Sequence, residues 1–211
     1  ASDVYKRQDI YVYNQLTKDN NGNIKVDQNG NLGITSSNTP VKVGNLDADF
    51  NLGWTNHFTY KGIDLGVVLS ARVGGLAYSA TQGILDYYGV SGTSATARDN
   101  GGIPINNGKV NAQKYYQTIG TGEGGYGRYY LYSATNVRLQ ELSLNYTLPK
   151  KWFKNVANVT LGVVGRNLWM IYCKAPFDPE ATASTGTYYQ GLDYFMQPSQ
   201  RSFGFNVKVQ F

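Results

Sequence analysis

The chain has no run of about eighteen or more apolar residues, so it holds no helix able to cross a bilayer. That absence leaves strands open as a way across, because barrel strands alternate apolar and polar residues and average out as hydrophilic. Cysteine is reduced to Cys173, which excludes an internal disulfide and a cysteine-rich metal cluster. His57 is the only histidine. Charged residues make up 16%, against about 25% in an average soluble domain. So low a share argues against helical bundles and coiled coils. The 41% hydrophobic share argues against a disordered chain. The net charge is +5, but the basic residues are scattered, with Lys6-Arg7 and Lys150-Lys151 the only adjacent pairs. Without a basic stripe, no nucleic-acid partner is expected. The N-terminus lacks the basic, apolar and small-residue pattern of a secretory leader. In a chain that otherwise looks exported, this suggests a missing beginning.

What is abundant is glycine, 25 of 211 residues, and tyrosine, 18. From Phe50 the sequence alternates with period two. Phe50, Leu52, Trp54, Phe58 and Tyr60 share one face, and Asn51, Gly53, Thr55, His57 and Thr59 the other. After a tight turn at Lys61-Gly62, Ile63, Leu65, Val67, Leu69, Ala71 and Val73 repeat the pattern, with Val68 the exception on the polar side. A third run carries Leu142, Leu144, Tyr146 and Leu148. Val137 and Leu139 lie on the opposite phase, which predicts a bulge near Gln140-Glu141 or an exit from the apolar layer. A fourth run holds Val159, Leu161, Val163, Trp169 and Ile171, against Asn158, Thr160 and Arg166. The fifth alternates Phe203, Phe205, Val207, Val209 and Phe211 with Ser202, Gly204, Asn206, Lys208 and Gln210. Runs of this length suit a tilted strand of about 9–11 residues crossing a bilayer.

The connections are unequal. Runs one and two, and three and four, are joined by short turns. Runs two and three are separated by Gly74–Asn136, and runs four and five by Tyr172–Gln200. Short turns on one side and long loops on the other is the asymmetry of outer-membrane barrels. The long loops are rich in Gly, Ser, Thr, Asn and Tyr, and Tyr78–Tyr88 reads as a short helix ending at Gly89. Asn21-Gly22 and Asn29-Gly30 are hairpin-turn dipeptides. Residues 120–125 satisfy GxGxxG, but no strand–loop–helix unit surrounds them, so a flexible loop is expected. Asp19–Asn23 is only superficially like a calcium loop, since its glycine is misplaced and no acid closes it. No cofactor and no metal are expected.

Six segments in register resemble the SusC/RagA-type TonB-linked outer-membrane proteins. Val43–Phe50 resembles their GNPxPxF motif, with Leu46 and Ala48 in place of the prolines. The others are Arg72–Gly75, Val137–Pro149, Gly165–Leu168, Phe177–Glu180 and Pro198–Phe205. The resemblance runs from about Val43 to Phe211. It implies an all-β chain, namely the C-terminal five or so strands of a partial transmembrane antiparallel β-barrel of about twenty-two strands, with long extracellular loops. It also implies an importer of oligosaccharides, or of peptides in some members, in the outer membrane of a Gram-negative bacterium. Its partners would be a SusD-like surface lipoprotein, the TonB complex acting through an N-terminal plug this chain lacks, and outer-membrane lipid. The domain expectation is an extracellular loop and hairpin region over 9–46 and the C-terminal barrel part over 47–211. Residues 1–8 are expected to be foreign, because Asp3–Gln8 back-translates to GATGTGTATAAGAGACAG, which resembles a transposase end used in sequencing libraries.

No nucleophile–base set is visible, so no enzyme is expected. His57 reads as a polar residue of the lumen, and Cys173 as an inert thiol. Asp178 and Glu180, flanked by Pro176 and Pro179, read as a rigid loop corner, and Arg72 and Arg166 as inward-facing partners of acids. Trp54, Tyr60, Tyr146, Trp152 and Trp169 fit an interfacial aromatic girdle. The candidate substrate contacts are the loop aromatics Tyr87, Tyr88, Tyr115, Tyr116, Tyr188 and Tyr189, which offer a ring face and a hydroxyl to a glycan, with loop self-packing as the competing role. Phe203, Phe205, Val207, Val209 and Phe211 form the candidate barrel-assembly signal, which the class reads in an alternating last strand ending in Phe. The alternative architecture is a soluble β-sandwich that binds glycans. It would turn its apolar faces inward, where a barrel turns them to lipid.

Overall fold

The computed structural model describes residues 9–120, 126–154, 156–181 and 190–210. In chain order the elements are β1 (Asp9–Leu16), β2 (Ile34–Asn45), β3 (Phe50–Tyr60), β4 (Ile63–Val73), β5 (Leu76–Ser79), α1 (Ala80–Tyr87) and α2 (Gly92–Asp99). They continue with β6 (Ile103–Ile105), β7 (Gly108–Val110), α3 (Ala112–Ile119), β8 (Leu131–Ser133), β9 (Asn136–Thr147), β10 (Asn158–Cys173), β11 (Leu192–Asp193) and β12 (Ser202–Gln210). The chain separates into two compact units. One is made of residues 1–47, 76–132 and 182–196, and the other of 48–75, 133–181 and 197–211.

The second unit is one five-stranded antiparallel sheet in the order β12-β10-β9-β4-β3, so the five alternating runs pair in sequence order. Lys61 (φ 46°) and Gly62 (φ 86°) make the β3–β4 turn, whose two left-handed positions match the twist of the strands. A 3-10 turn at Lys150–Phe153 lies between β9 and β10. Cross-strand pairing lines up apolar rows, one of them Phe58, Leu65, Leu144, Val163 and Phe205 across all five strands. The neighbouring row, Thr59, Asp64, Asn145, Gly162 and Asn206, is polar or glycine throughout. The apolar side is exposed, to 83% at Phe205 and 58% at Leu52. That is the reverse of a sandwich, which would cover those rows with a second sheet.

The bulge falls at Gln140: Val68 pairs with Glu141 and Leu69 with Leu139, so Gln140 is the extra residue. It returns Val137 and Leu139 to the apolar side, opposite Ala71 and Leu69. On β10 the same place is marked by Asn167 at φ 51° and a shift between Arg166 and Trp169. A second shift beyond Met170 sets Tyr172 opposite Val137 and Cys173 opposite Asn136. Trp54 departs from its expected place near a strand end. It sits mid-strand, opposite Leu69.

The loop unit has its own core of Leu32, Ala97, Ile105, Val110, Ala112, Tyr116 and Ile119. The helix expected at Tyr78–Tyr88 is α1, ended by Gly89 at φ 71°. The two further helices, α2 and α3, fall within stretches whose composition reads as loop. Each is only eight residues long and starts from a side-chain cap, Ser91 and Asn111 respectively. Asn21-Gly22 and Asn29-Gly30 do turn the chain, with both glycines left-handed. In each turn one carboxylate holds the backbone. Asp19 Oδ1 accepts from the Asn21 and Asn23 amides at 2.8 Å, and Asp27 Oδ1 from those of Asn29 and Asn31 at 2.8 Å. These bonds, led by that from the Asn23 or Asn31 amide, lower both acids below the ordinary carboxylate value.

Candidate functional site

Of the tyrosines expected to touch substrate, Tyr87 and Tyr88 stand at the end of α1, and Tyr116 lines the same cavity. Ser79 caps this helix, its hydroxyl accepting from the Gln82 amide at 3.1 Å and donating to the buried Asp193 at 2.6 Å. The cap fixes where α1 begins, and so where Tyr87 and Tyr88 end it. Immediately before Tyr87 the buried Asp86 accepts from Gln82 Nε2 at 2.9 Å, Thr93 Oγ1 at 2.8 Å and the Ser91 hydroxyl. These bonds tie α1 to the first turn of α2. Arg98 at the end of α2 donates to the Gly89 carbonyl at 2.6 Å.

Between these parts and α3 lies a cavity of about 370 Å³, lined among others by Asp86, Tyr87, Tyr88, Arg98, Gln113 and Tyr116. Its size is at the small end of ligand pockets, about 300–1,000 Å³. Tyr87 and Tyr88 meet edge to face at 5.2 Å, and Tyr88 projects with 72% exposure. Tyr116 is 4% exposed and forms floor rather than rim. Burial first, and then the nearby Tyr129 and Asp86, push its phenol up to about 12, so it stays a neutral hydrogen-bonding group at physiological pH. The lining thus offers an exposed aromatic edge, a guanidinium and amides. That mixture suits a ligand with both apolar faces and hydroxyl or amide groups.

Tyr115 does not join the pocket. It packs edge to face on Tyr116 at 5.2 Å and Tyr129 at 6.2 Å, against the loop-unit core. Burial raises its phenol as well. Tyr188, Tyr189 and most of the GxGxxG stretch lie outside the described residues. Asp86, Arg98 and Gln113 were not singled out from sequence, because their contacts join elements that no local pattern connects. Among the described residues no group of three or more His, Cys, Asp or Glu is placed to hold a metal ion.

The family-like segments meet elsewhere, at the long-loop end of the sheet. A Cβ on Gly74, at φ 82°, would run into the carboxylate of Asp49, so Arg72–Gly75 needs glycine where it meets Val43–Phe50. Arg166 Nε donates to Glu141 Oε2 at 2.8 Å, the acid partner expected for it. Arg138 is 5% exposed; its Nη2 lies 2.8 Å from Asp178 Oδ1 and 3.2 Å from Glu180 Oε2. Its Nη1 donates to Ser199 Oγ at 3.4 Å and its Nε to the fully buried Asn136 at 3.5 Å. Burial pushes Asp178 up. Hydrogen bonding with Ser199, Arg138 and the Glu180 amide, together with the Arg138 charge, outweighs this and holds the carboxyl down at about 2. The corner expected around Asp178 and Glu180 is therefore built on a buried guanidinium. Phe203, Phe205, Val207 and Val209 share the apolar side of β12, opposite Gly165, Val163, Leu161 and Val159; Phe211 lies outside the described residues.

No protein-family model matches the chain. TonB-dependent receptor P3 of Formosa agariphila is 27% identical over 201 residues, 92% of this chain and 19% of that protein. TonB-dependent receptor P39 of the same organism is 24% identical over 191 residues, 88% of this chain and 18% of that protein. The chain thus spans about a fifth of the length of these curated relatives. Among solved structures, the RagAB peptide importer in its "closed-closed" state matches 96% of this chain and 22% of its own, with a TM-score of 0.55 at 18% identity. The same importer in its "open-open" state matches 97% of this chain and 22% of its own, with a TM-score of 0.55 at 17% identity. These relatives are receptors and importers rather than enzymes. In sequence and in fold, the chain is similar over nearly all its length to a section of the SusC/RagA-type TonB-dependent receptors.

Proposed function

We propose that this chain forms part of the wall and extracellular loops of a TonB-dependent importer in the outer membrane of a Gram-negative bacterium. The observation that carries the reading is the inverted sheet, with continuous apolar rows exposed on one side and polar rows on the other. In water such a face would be an aggregation hazard, whereas in a bilayer it is the required surface. The cargo is an oligosaccharide, with peptides the other class open to such importers. A SusD-like lipoprotein serves as partner at the long-loop end, and the TonB complex supplies energy through a plug domain. Residues 47–211 supply the barrel part, residues 9–46 join the loops, and residues 1–8 are foreign to it. Tyr87 and Tyr88 make the first contact with cargo, Tyr116 supports them from below, and Tyr188 and Tyr189 are further candidate contacts. No covalent step is involved.

The test uses the whole transporter that carries this segment. Uptake and binding of oligosaccharide and peptide libraries are compared between wild type and Tyr88→Ala. Weaker binding of one class, with unchanged outer-membrane amount, is expected. Recovery of the wild-type protein from the soluble fraction would overturn the barrel reading. Unchanged binding of every ligand by Tyr88→Ala would overturn the assignment of the pocket.

A further inference from the structure

The last strand poses a register problem that its own sequence does not solve. Its residues alternate two kinds of side chain, Phe203, Phe205, Val207 and Val209 against Ser202, Gly204, Asn206, Lys208 and Gln210. A one-residue slip would flip every side chain to the wrong face. A two-residue slip leaves every apolar residue on the apolar side, so the pattern determines parity and not register. Turn geometry sets register in hairpins such as β3–β4. It cannot do so for β12, because residues 174–201 separate β10 from β12. Within the sheet, β12 is also an edge with β10 as its neighbour, and it is exposed along its whole length.

The segment just before β12 is nevertheless held. The Ser199 amide donates to Asp178 Oδ2 at 3.2 Å, and Ser199 Oγ accepts from Arg138 at 3.4 Å. The Gln200 carbonyl accepts from Asn167 Nδ2 at 3.2 Å. Asp178 in turn is fixed by Arg138 at 2.8 Å, and the two side chains are only 5–6% exposed. Arg138 belongs to β9, the strand beyond β10 as seen from β12. The cluster therefore ties the start of β12 to the middle of the sheet across an intervening strand. A buried ion pair is a weak source of net stability, and its best-attested use is to choose one register among near-equal ones.

We infer that the Arg138–Asp178–Ser199 cluster is a register clamp, which sets the pairing of β12 on β10. This rests on the barrel-wall reading above and assigns a role to Val137–Pro149, Phe177–Glu180 and Pro198–Phe205 together. Arg138 and Asp178 are positioning residues that act through the backbone of Ser199.

The experiment reads register directly in the whole transporter, in a Cys173→Ser background. Thr160 and Lys208 are directly opposite, as are Thr55 and Val68 in the turn-defined β3–β4 pair. Cysteines are placed at 160 with 208 for the native register, at 160 with 206 or 210 for two-residue slips, and at 55 with 68 as control. Disulfide yield after mild oxidation is measured with Arg138 and Asp178 intact, with Arg138→Met and with Asp178→Asn. The milder, isosteric Asp178→Asn ensures that the result does not depend on how well Arg138→Met accumulates. The clamp predicts a fall of roughly threefold or more in the 160–208 yield, the appearance of a slipped pair, and an unchanged 55–68 yield. Unchanged 160–208 yields in both variants would overturn it. So would an equal fall of the 160–208 and 55–68 pairs, which is the mark of general destabilisation. Failure of the barrel reading would show separately, as wild-type protein in the soluble fraction, where the cross-links still judge the clamp.

Discussion

The two units bury opposite kinds of residue. The loop unit packs Leu32, Ile105, Val110, Tyr116 and Ile119 inward, as a water-soluble domain does. In the sheet unit the large aliphatic and aromatic side chains are left exposed, while Asn136 and Arg138 are buried. Among the described residues Ala134 is the one buried hydrophobic that lies in the sheet unit. One chain thus carries two solvent rules. The loop unit is built for water on its outside. The sheet exposes apolar rows on one side and polar rows on the other, with its buried polar groups clustered at one end.

The comparison is broken most severely at Arg138. Arg138→Ala leaves Asp178 as a buried carboxylate without its cation, and should cost about 3–5 kcal/mol. Urea unfolding of the detergent-solubilised transporter measures this. In the loop unit, Ile119→Ala at a fully buried site should cost about 2–5 kcal/mol through the lost methylenes and the cavity left behind. It should change the protease resistance of the loops while leaving the heat-modifiable gel mobility of the barrel intact. On the exposed apolar side, Val207→Lys should cost about 2–4 kcal/mol and lower the folded amount in purified outer membranes. Lys208→Gln, its neighbour on the polar side, should leave that amount unchanged. Equal behaviour of those two variants would show that the faces are assigned the wrong way round.

Acid should sharpen the difference between the units more gently. The folded-state value of Asp178 is lowered to about 2, so its contribution is complete above the unfolded value of 3.8. It is lost as pH falls through about 2, and amounts to roughly 2 kcal/mol. A titration of unfolding midpoints between neutral pH and pH 2 should show this loss, and Asp178→Asn should remove most of it. The smallest effect is at a helix cap, where Asn111→Ala should weaken the loop unit by about 1 kcal/mol and leave the sheet unaffected. Hydrogen exchange of the α3 amides would report it.

Strand identity, strand phase and the Gln140 bulge were legible because period-two alternation is a local property. The side of the sheet each residue faces follows from its own position along the strand. The β3–β4 turn was legible for the same reason, since Lys61-Gly62 carries its own geometry. The placement of Tyr87 and Tyr88 beside a pocket was only half legible. Their chemistry is local, but Asp86, Arg98 and Gln113 reach the pocket through helix packing between α1, α2 and α3. Tyr115 was indistinguishable from Tyr116 by composition; in the structure Tyr116 lines the pocket, while Tyr115 packs on Tyr116 and Tyr129.

By itself, then, the sequence determined which residues alternate, where the turns fall and which side of each strand is apolar. Those features depend on backbone geometry and near neighbours alone. Only the tertiary structure decided that Arg138, Asp178 and Ser199, far apart along the chain, form one cluster around a buried guanidinium. Charge attraction inside a protein acts through space, and a guanidinium taken out of water must find its acids wherever the fold brings them. Asp178 and Glu180 read as a loop corner because prolines flank them. They are held as one because a buried cation on a different strand leaves them no better place to be.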